Sequence, residues 1–219
     1  ASVVGTKEGE GPLADAFDCI GPDDKFGQQT WEAAESSLQK EALTLALGKA
    51  GLRTDELRYL FAGDLLGQSM ATSFGLQPFE IPLFGLYGAC STAGEALALA
   101  AMTVGAGYAD VVGAVTSSHF ASAEKQFRFP LEYANQRPLC TTWTVTGAGA
   151  FLLGRESDKK QNYSDNRKRT NSGNPMIKRA EQKIADDTER KVCGVRITGI
   201  TTGKIVDYGV RDSMNMGAA

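Results

Sequence analysis

The feature that most limits what this chain can become is a helix with no wet side. The run Ala93-Gly94-Glu95-Ala96-Leu97-Ala98-Leu99-Ala100-Ala101-Met102 carries one charge among small and apolar residues. A helix without a polar face is normally buried on all sides. The pattern therefore predicts a core helix sandwiched between two sheets. Just upstream, Leu83-Phe84-Gly85-Leu86-Tyr87 reads as an apolar strand running into the small-residue turn Gly88-Ala89-Cys90-Ser91-Thr92. Thr92 and Glu95 have the spacing of a capping box, which places the helix start just after the cysteine. A thiol there sits near the positive end of the helix dipole, where thiolate is favoured. The geometry is the sulfur counterpart of a nucleophile elbow. A small buried residue at a close strand–helix contact explains Cys90 equally well.

The rest of the composition narrows the class. Apolar residues make up 42% of the 219, enough for a real core, and 25 glycines imply many tight turns. Repeated strand-then-helix segments indicate an α/β protein. No apolar run approaches the roughly 20 residues of a membrane span, and no basic-then-apolar leader is present. Cys19, Cys90, Cys140 and Cys193 are widely spaced with no C-x-x-C pair, which argues against a zinc site or disulfide framework and suits a reducing compartment. Net charge is −3; residues 155–191 hold 11 Lys/Arg against 7 Asp/Glu, a local +4, so the remainder is −7. An acidic body gives no electrostatic case for binding nucleic acid.

In chain order, residues 1–24 are rich in Gly, Pro and Asp, with Val3-Val4 as the remnant of a first strand. Trp31, Ala34, Leu38, Ala42, Leu45 and Ala46 follow helical spacing and predict a helix over 31–49 that stops at Gly51. Asp55 is placed to cap a short turn before a strand over 57–62 that ends at Gly63-Asp64. A weaker helix is expected over 65–74, closed by Pro78. After the cysteine helix, residues 110–116 read as a buried strand. That strand delivers Ser117-Ser118-His119 to its C-terminal end, where open α/β sheets bind ligands. Residues 121–142 lose periodicity but carry Arg128 and Arg137, as a functional loop or lid does. Strands are expected over 144–153 and 195–201. Residues 155–191 hold 18 charges in 37 positions and read as a solvated insertion. Its cluster Arg167-Lys168-Arg169 suits a solvated loop better than an anionic surface.

Gly88-Ala89-Cys90-Ser91-Thr92 resembles the active-site cysteine turn of the thiolase and ketoacyl-synthase superfamily. A narrower pattern adds Asp64-Leu65-Leu66, Thr116-Ser117-Ser118-His119, Gln126-Phe127-Arg128-Phe129-Pro130-Leu131-Glu132-Tyr133 and Thr144-Val145-Thr146-Gly147-Ala148-Gly149-Ala150. With Trp31-Glu32 and Val206-Asp207-Tyr208-Gly209-Val210, these blocks resemble, in order, the stage V sporulation protein AD family. The resemblance implies a thiolase-like layered α/β/α fold of two similar halves. On that reading residues 1–154 are the first half, 155–191 a charged insertion foreign to the family's pattern, and 192–219 the truncated start of a second half that is largely missing. It also implies a function: handling of dipicolinic acid, with calcium, by a membrane channel complex active in sporulation and germination. The chain would be a soluble component without a signal peptide, peripheral on the spore inner membrane, with other channel subunits as partners and a homodimer or hetero-complex as its assembly.

Three functional classes follow. As an acyltransferase, Cys90 would be the nucleophile and would need a base and oxyanion donors. Thiolase-type enzymes take a catalytic histidine from the second half, whereas His119 is the one histidine here. As a binder, the chain would grip a planar dianion with Arg128 and Arg137, the helix start at Cys90, Ser91 and Thr92, and a polar rim of Ser117, Ser118 and His119. As a scaffold it would bind neither. The binder is the preferred reading, with no catalytic residue, metal or cofactor expected. Salt bridging of Arg128 to Glu124 or Glu132, and a hydrogen-bonded loop role for His119, are the plainer alternatives.

Overall fold

The computed structural model describes residues 1–127, 144–155 and 194–204. At its centre lies a six-stranded sheet in the order β2-β1-β6-β5-β3-β4. The strands are β1 (Ser2–Val4), β2 (Cys19–Ile20), β3 (Tyr59–Gly63), β4 (Leu83–Leu86), β5 (Val111–Ser118) and β6 (Gly147–Gly154). β3 pairs in parallel with both β4 and β5, and β1 with β2, while β6 runs antiparallel between β1 and β5. The helices are α1 (Thr6–Gly9), α2 (Trp31–Ala50), α3 (Met70–Leu76), α4 (Thr92–Gly105) and α5 (Phe120–Phe127).

Strand side chains alternate between two faces, and each face has its own core. Leu60 and Ala62 of β3, Val115 of β5 and Ala148 and Ala150 of β6 pack with Leu38, Ala42, Leu43 and Leu45 of α2. On the other face, Phe61, Val112 and Ala114 pack with Ala96, Ala100 and Val104 of α4. The architecture is the expected layered α/β/α. Helix α2 has its expected limits because Thr30 accepts a hydrogen bond from the Ala33 N–H at 3.2 Å and Gly51 takes a left-handed φ of +66°.

Several expectations need correction. α4 is buried on one face only: Ala96, Ala100 and Val104 meet the sheet, while Met102 is 45% exposed. No second layer covers it among the described residues, so its apolar outer side faces outward. The capping box does not form. Ser91 is the N-cap, with no side-chain cap bond, because a 3₁₀ turn over Ala89–Ser91 runs straight into the helix. The weaker helix starts later, at Met70, because Gln68 and Ser69 take positive φ in the 3₁₀ turn Gly67–Ser69 that precedes it; Pro78 sits in the following 3₁₀ turn, Gln77–Phe79. Asp55 pairs with Arg53 instead of capping; Glu56 accepts from the Arg53 N–H at 2.7 Å. Residues 195–201 form no strand. Val195 is 95% exposed, and a β-branched run without a partner strand has no ladder to join. Ser117 and Ser118 belong to β5 itself, and residues 121–127, expected in the loop over 121–142, fall in α5. Most of the insertion over 155–191 and the end of the chain beyond 204 lie outside the described residues.

Candidate ligand site at the cysteine turn

The parallel strands fix where the site lies. Gly63 of β3 stands beside Leu86 of β4 and Thr116 of β5 in the sheet register. The residues that follow each strand therefore emerge along one sheet edge: Asp64 after β3, the cysteine turn after β4, and His119 after β5. Ligands bind outside the carboxyl ends of strands in sheets of this type. Gly63 has a steric reason to be glycine. A Cβ there would collide with the Leu86 carbonyl and lie 2.6 Å from Thr92 Cγ2. The cysteine turn is thus seated directly against the end of β3.

Within the turn, Thr92 does the fastening. Its Oγ1 accepts from the Gly88 N–H at 3.0 Å and donates to the Ala89 carbonyl at 2.8 Å. Ser91 donates its hydroxyl to the Gly88 carbonyl at 2.6 Å. Ala89 takes a left-handed φ of +48°, a strained conformation for a residue with a Cβ. The result leaves Cys90 exposed, so the reading of it as a buried packing residue is set aside. Gln68 and Ser69 also have positive φ, in the neighbouring loop, and Ser69 Oγ lies 3.4 Å from the Leu86 carbonyl. Two strained loops therefore flank the same strand end.

The three residues expected to complete the rim are differently placed. Ser118 donates to the Val145 carbonyl at 2.5 Å. His119 is wholly buried. Its Nδ1 accepts from the Ala121 N–H at 3.1 Å, so its Nε2 carries the proton and donates to the Asp24 carbonyl at 2.7 Å. Its ring lies between Trp31 and Phe120, with centroids 5.4 and 5.2 Å away. Burial lowers its pKa, outweighing the backbone hydrogen bond at Asp24 and the nearby carboxylates. Neither ring nitrogen is available to a ligand or a thiol in this conformation. Ser117 donates to Glu35 Oε1 at 2.9 Å. The hydroxyl protons of Ser91, Thr92, Ser117 and Ser118 are thus all committed to protein acceptors. Arg128 and Arg137 lie outside the described residues.

The sequence reading missed a buried polar network behind the site. Glu35 of α2 has Ser117 on one oxygen and Ser122 on the other, the latter at 2.5 Å. Gln39, one turn on, donates from Nε2 to Ser117 Oγ at 2.8 Å and to Thr72 Oγ1 at 2.9 Å. Thr72 in turn donates to Asp64 Oδ2 at 2.5 Å, and Asp64 also accepts from the N–H groups of Leu66 and Thr72, each at 2.7 Å. All four residues, Glu35, Gln39, Asp64 and Thr72, are buried. A signal for this existed: Glu35 and Gln39 fall on the core-facing stripe set by Ala34, Leu38 and Ala42. Burial drives the Glu35 carboxyl up to about 7, against the lowering effect of its two serine hydrogen bonds and with Asp64 and Glu32 adding to the rise.

A layered α/β protein that exposes a thiol on a strand-to-helix turn, beside the carboxyl ends of parallel strands, is the class defined by this geometry. The whole chain, residues 1–219, matches the family model of Stage V sporulation protein AD. Stage V sporulation protein AD of Bacillus subtilis (strain 168) is 35% identical over 218 residues, a match that takes in 100% of this chain. The chain belongs to the stage V sporulation protein AD family, and it spans 54% of the length of that relative. Among solved structures, 3-oxoacyl-[acyl-carrier-protein] synthase III from Aquifex aeolicus VF5 overlaps 60% of this chain and 41% of its own, at 20% identity and a TM-score of 0.43. An OleA variant from Xanthomonas campestris overlaps 58% and 41%, at 19% identity and a TM-score of 0.44.

Proposed function

We propose that this sporulation-family chain binds dipicolinic acid at the cysteine turn, as its part in moving the acid, alone or as its calcium chelate, through a spore membrane channel complex. The carrying observation is the placement of Cys90: exposed, at the N-terminal end of the 14-residue helix α4, on the edge where the parallel strands end. The positive end of a helix dipole suits a dicarboxylate. With the rim hydroxyls committed to protein acceptors, the charge-assisted donors fall to Arg128 and Arg137, which a planar carboxylate engages in paired hydrogen bonds. On this reading the chain is a peripheral partner of membrane subunits. No helix among the described residues is long and apolar enough to cross a membrane.

Acyl transfer is the second reading, favoured by the exposed thiol next to a strained Ala89. It is the weaker one because the imidazole of His119 is buried with both nitrogens engaged. Calorimetry with dipicolinate and with acetyl-coenzyme A separates the readings. Saturable dipicolinate binding lost in Arg128→Ala supports the binder. Acylation of Cys90 seen by mass spectrometry supports the enzyme, and heat from neither ligand leaves a scaffold.

A further inference from the structure

The buried network joins α2 to three elements at once, all at the site edge of the sheet. Glu35 holds Ser117 at the end of β5 and Ser122 in the first turn of α5. Gln39 holds Ser117 again and, through Thr72 of α3, the Asp64 carboxylate that fixes the loop after β3. Each hydrogen bond has a defined direction. Ser117 and Thr72 spend their protons on carboxylates, so both accept from the Gln39 amide, whose Nε2 also donates to the Gly63 carbonyl at 3.3 Å. Gln39 Oε1 is buried with no partner among the described residues, so there the amide is oriented by its N–H side.

We propose that Glu35 and Gln39 are positioning residues that couple one buried proton to the cysteine turn, so that anion binding there follows the protonation of Glu35. The inference rests on the dipicolinate reading for its ligand but not for its mechanism. A proton on Glu35 Oε2 donates to Ser122 Oγ, and the Ser122 hydroxyl then turns to the His119 carbonyl, which already lies 3.1 Å away. The Ser117–Gln39–Thr72–Asp64 chain keeps its direction throughout. What changes is the charge beneath the site and the first turn of α5.

Among the described residues, no cation pairs with Glu35. Elements α3, β1, β5 and β6 contain no Asp, Glu, Lys, Arg or His within their limits. From the end of β3 comes Asp64, and from α2 itself Glu32, both negative. Helix α5 contributes Ser122 and carries Glu124 and Lys125 further along, and His119 just before it is neutral. Neither ion pair found among the described residues, Lys49–Asp18 or Arg53–Asp55, involves Glu35. Glu35 sits at the end of β5 and the turn follows β4, two strands across the sheet and so about 10 Å at the usual strand spacing. Removing one negative charge at that range favours an anion at the turn by roughly 3–10-fold at intermediate dielectric.

The test is dipicolinate calorimetry on the chain and on Glu35→Gln from pH 6 to 8.5, in buffers of differing ionisation enthalpy. We expect affinity to fall about 3–10-fold as pH rises, with a midpoint near 7 and proton uptake on binding at that pH. Glu35→Gln flattens the profile and abolishes the uptake attributable to this group. Identical profiles and uptake in the two proteins overturn the proposal. If Glu35→Gln does not fold, Ser122→Ala replaces it: losing a hydrogen bond that holds the pKa down moves the midpoint upward, and an unmoved midpoint is equally fatal. If neither protein binds dipicolinate, the proposed function falls, and iodoacetamide labelling of Cys90 still decides the coupling. A ratio of wild-type to Glu35→Gln labelling rates that changes through pH 7 supports it; a constant ratio overturns it.

Discussion

Burial holds the Glu35 carboxyl at about 7, against an ordinary value of 4.5. The folded chain therefore binds this proton more tightly than the unfolded chain does. Its contribution to stability is full below 4.5 and is lost as pH rises through 7. His119 works in the opposite sense, since its lowered pKa costs stability as pH falls below its ordinary 6.5. Between pH 6.5 and 8, Glu35 should remove about 1 kcal/mol of unfolding free energy at 1.36 kcal/mol per pK unit, while the Ala1 ammonium, its pKa lowered from 8.0 by burial, adds stability over the same span. Urea titrations across that window should give a more negative slope in the wild type than in Glu35→Gln, the difference isolating Glu35 from the Ala1 and His119 contributions that both proteins share. Gly63 offers a second residue-scale prediction. Gly63→Ala forces the strand end away from the Leu86 carbonyl and Thr92, and overpacking of this kind costs about 1–3 kcal/mol. Chemical denaturation reads the stability loss, and faster or slower Cys90 labelling reads the displaced turn.

At the scale of elements, the cysteine turn separates what a sequence pattern encodes from what it only suggests. The strand-then-helix order around Cys90 was legible because apolar runs and small-residue turns are local signals. The capping box was not, although Thr92 and Glu95 have its spacing. The chain enters α4 through a 3₁₀ turn, which makes Thr92 the first helical residue and turns its hydroxyl back onto Gly88 and Ala89. The two assignments predict different mutants. Thr92→Val leaves the Gly88 N–H without its hydroxyl acceptor and should cost about 1–3 kcal/mol. Glu95→Ala removes no cap and should stay within about 0.5 kcal/mol, as exposed substitutions usually do. Thermal unfolding of the two variants side by side distinguishes them; equal losses would restore the capping box. The buried Glu35–Gln39 pair escaped the reading for a related reason. Helical periodicity weights apolar positions, and polar residues on the same stripe look like noise until their partners from β5, α3 and α5 are in place.

At the scale of the molecule, the two faces of the sheet are unequally finished. Under α2 lies a closed core. On the α4 side, Phe84 is 51% exposed beside Phe61 and Tyr59, Phe151 is 47% exposed on β6, and the outer side of α4 presents Met102. The sequence foretold an all-round apolar helix because composition reports how many sides can be buried. Which sides are buried depends on what packs against them, and periodicity holds no information about that. An apolar surface of this extent marks an interface or an aggregation liability. The 219-residue chain should therefore bind a hydrophobic dye such as anilinonaphthalene sulfonate while retaining a cooperative unfolding transition, and its sedimentation should depend on concentration. Met102→Glu combined with Phe84→Lys replaces exposed apolar side chains without touching Ala96, Ala100 or Val104. That pair should weaken both dye binding and self-association while leaving the melting temperature close to the wild-type value. A large fall in melting temperature would mean that the two side chains belong to a core, and that the face is closed in solution.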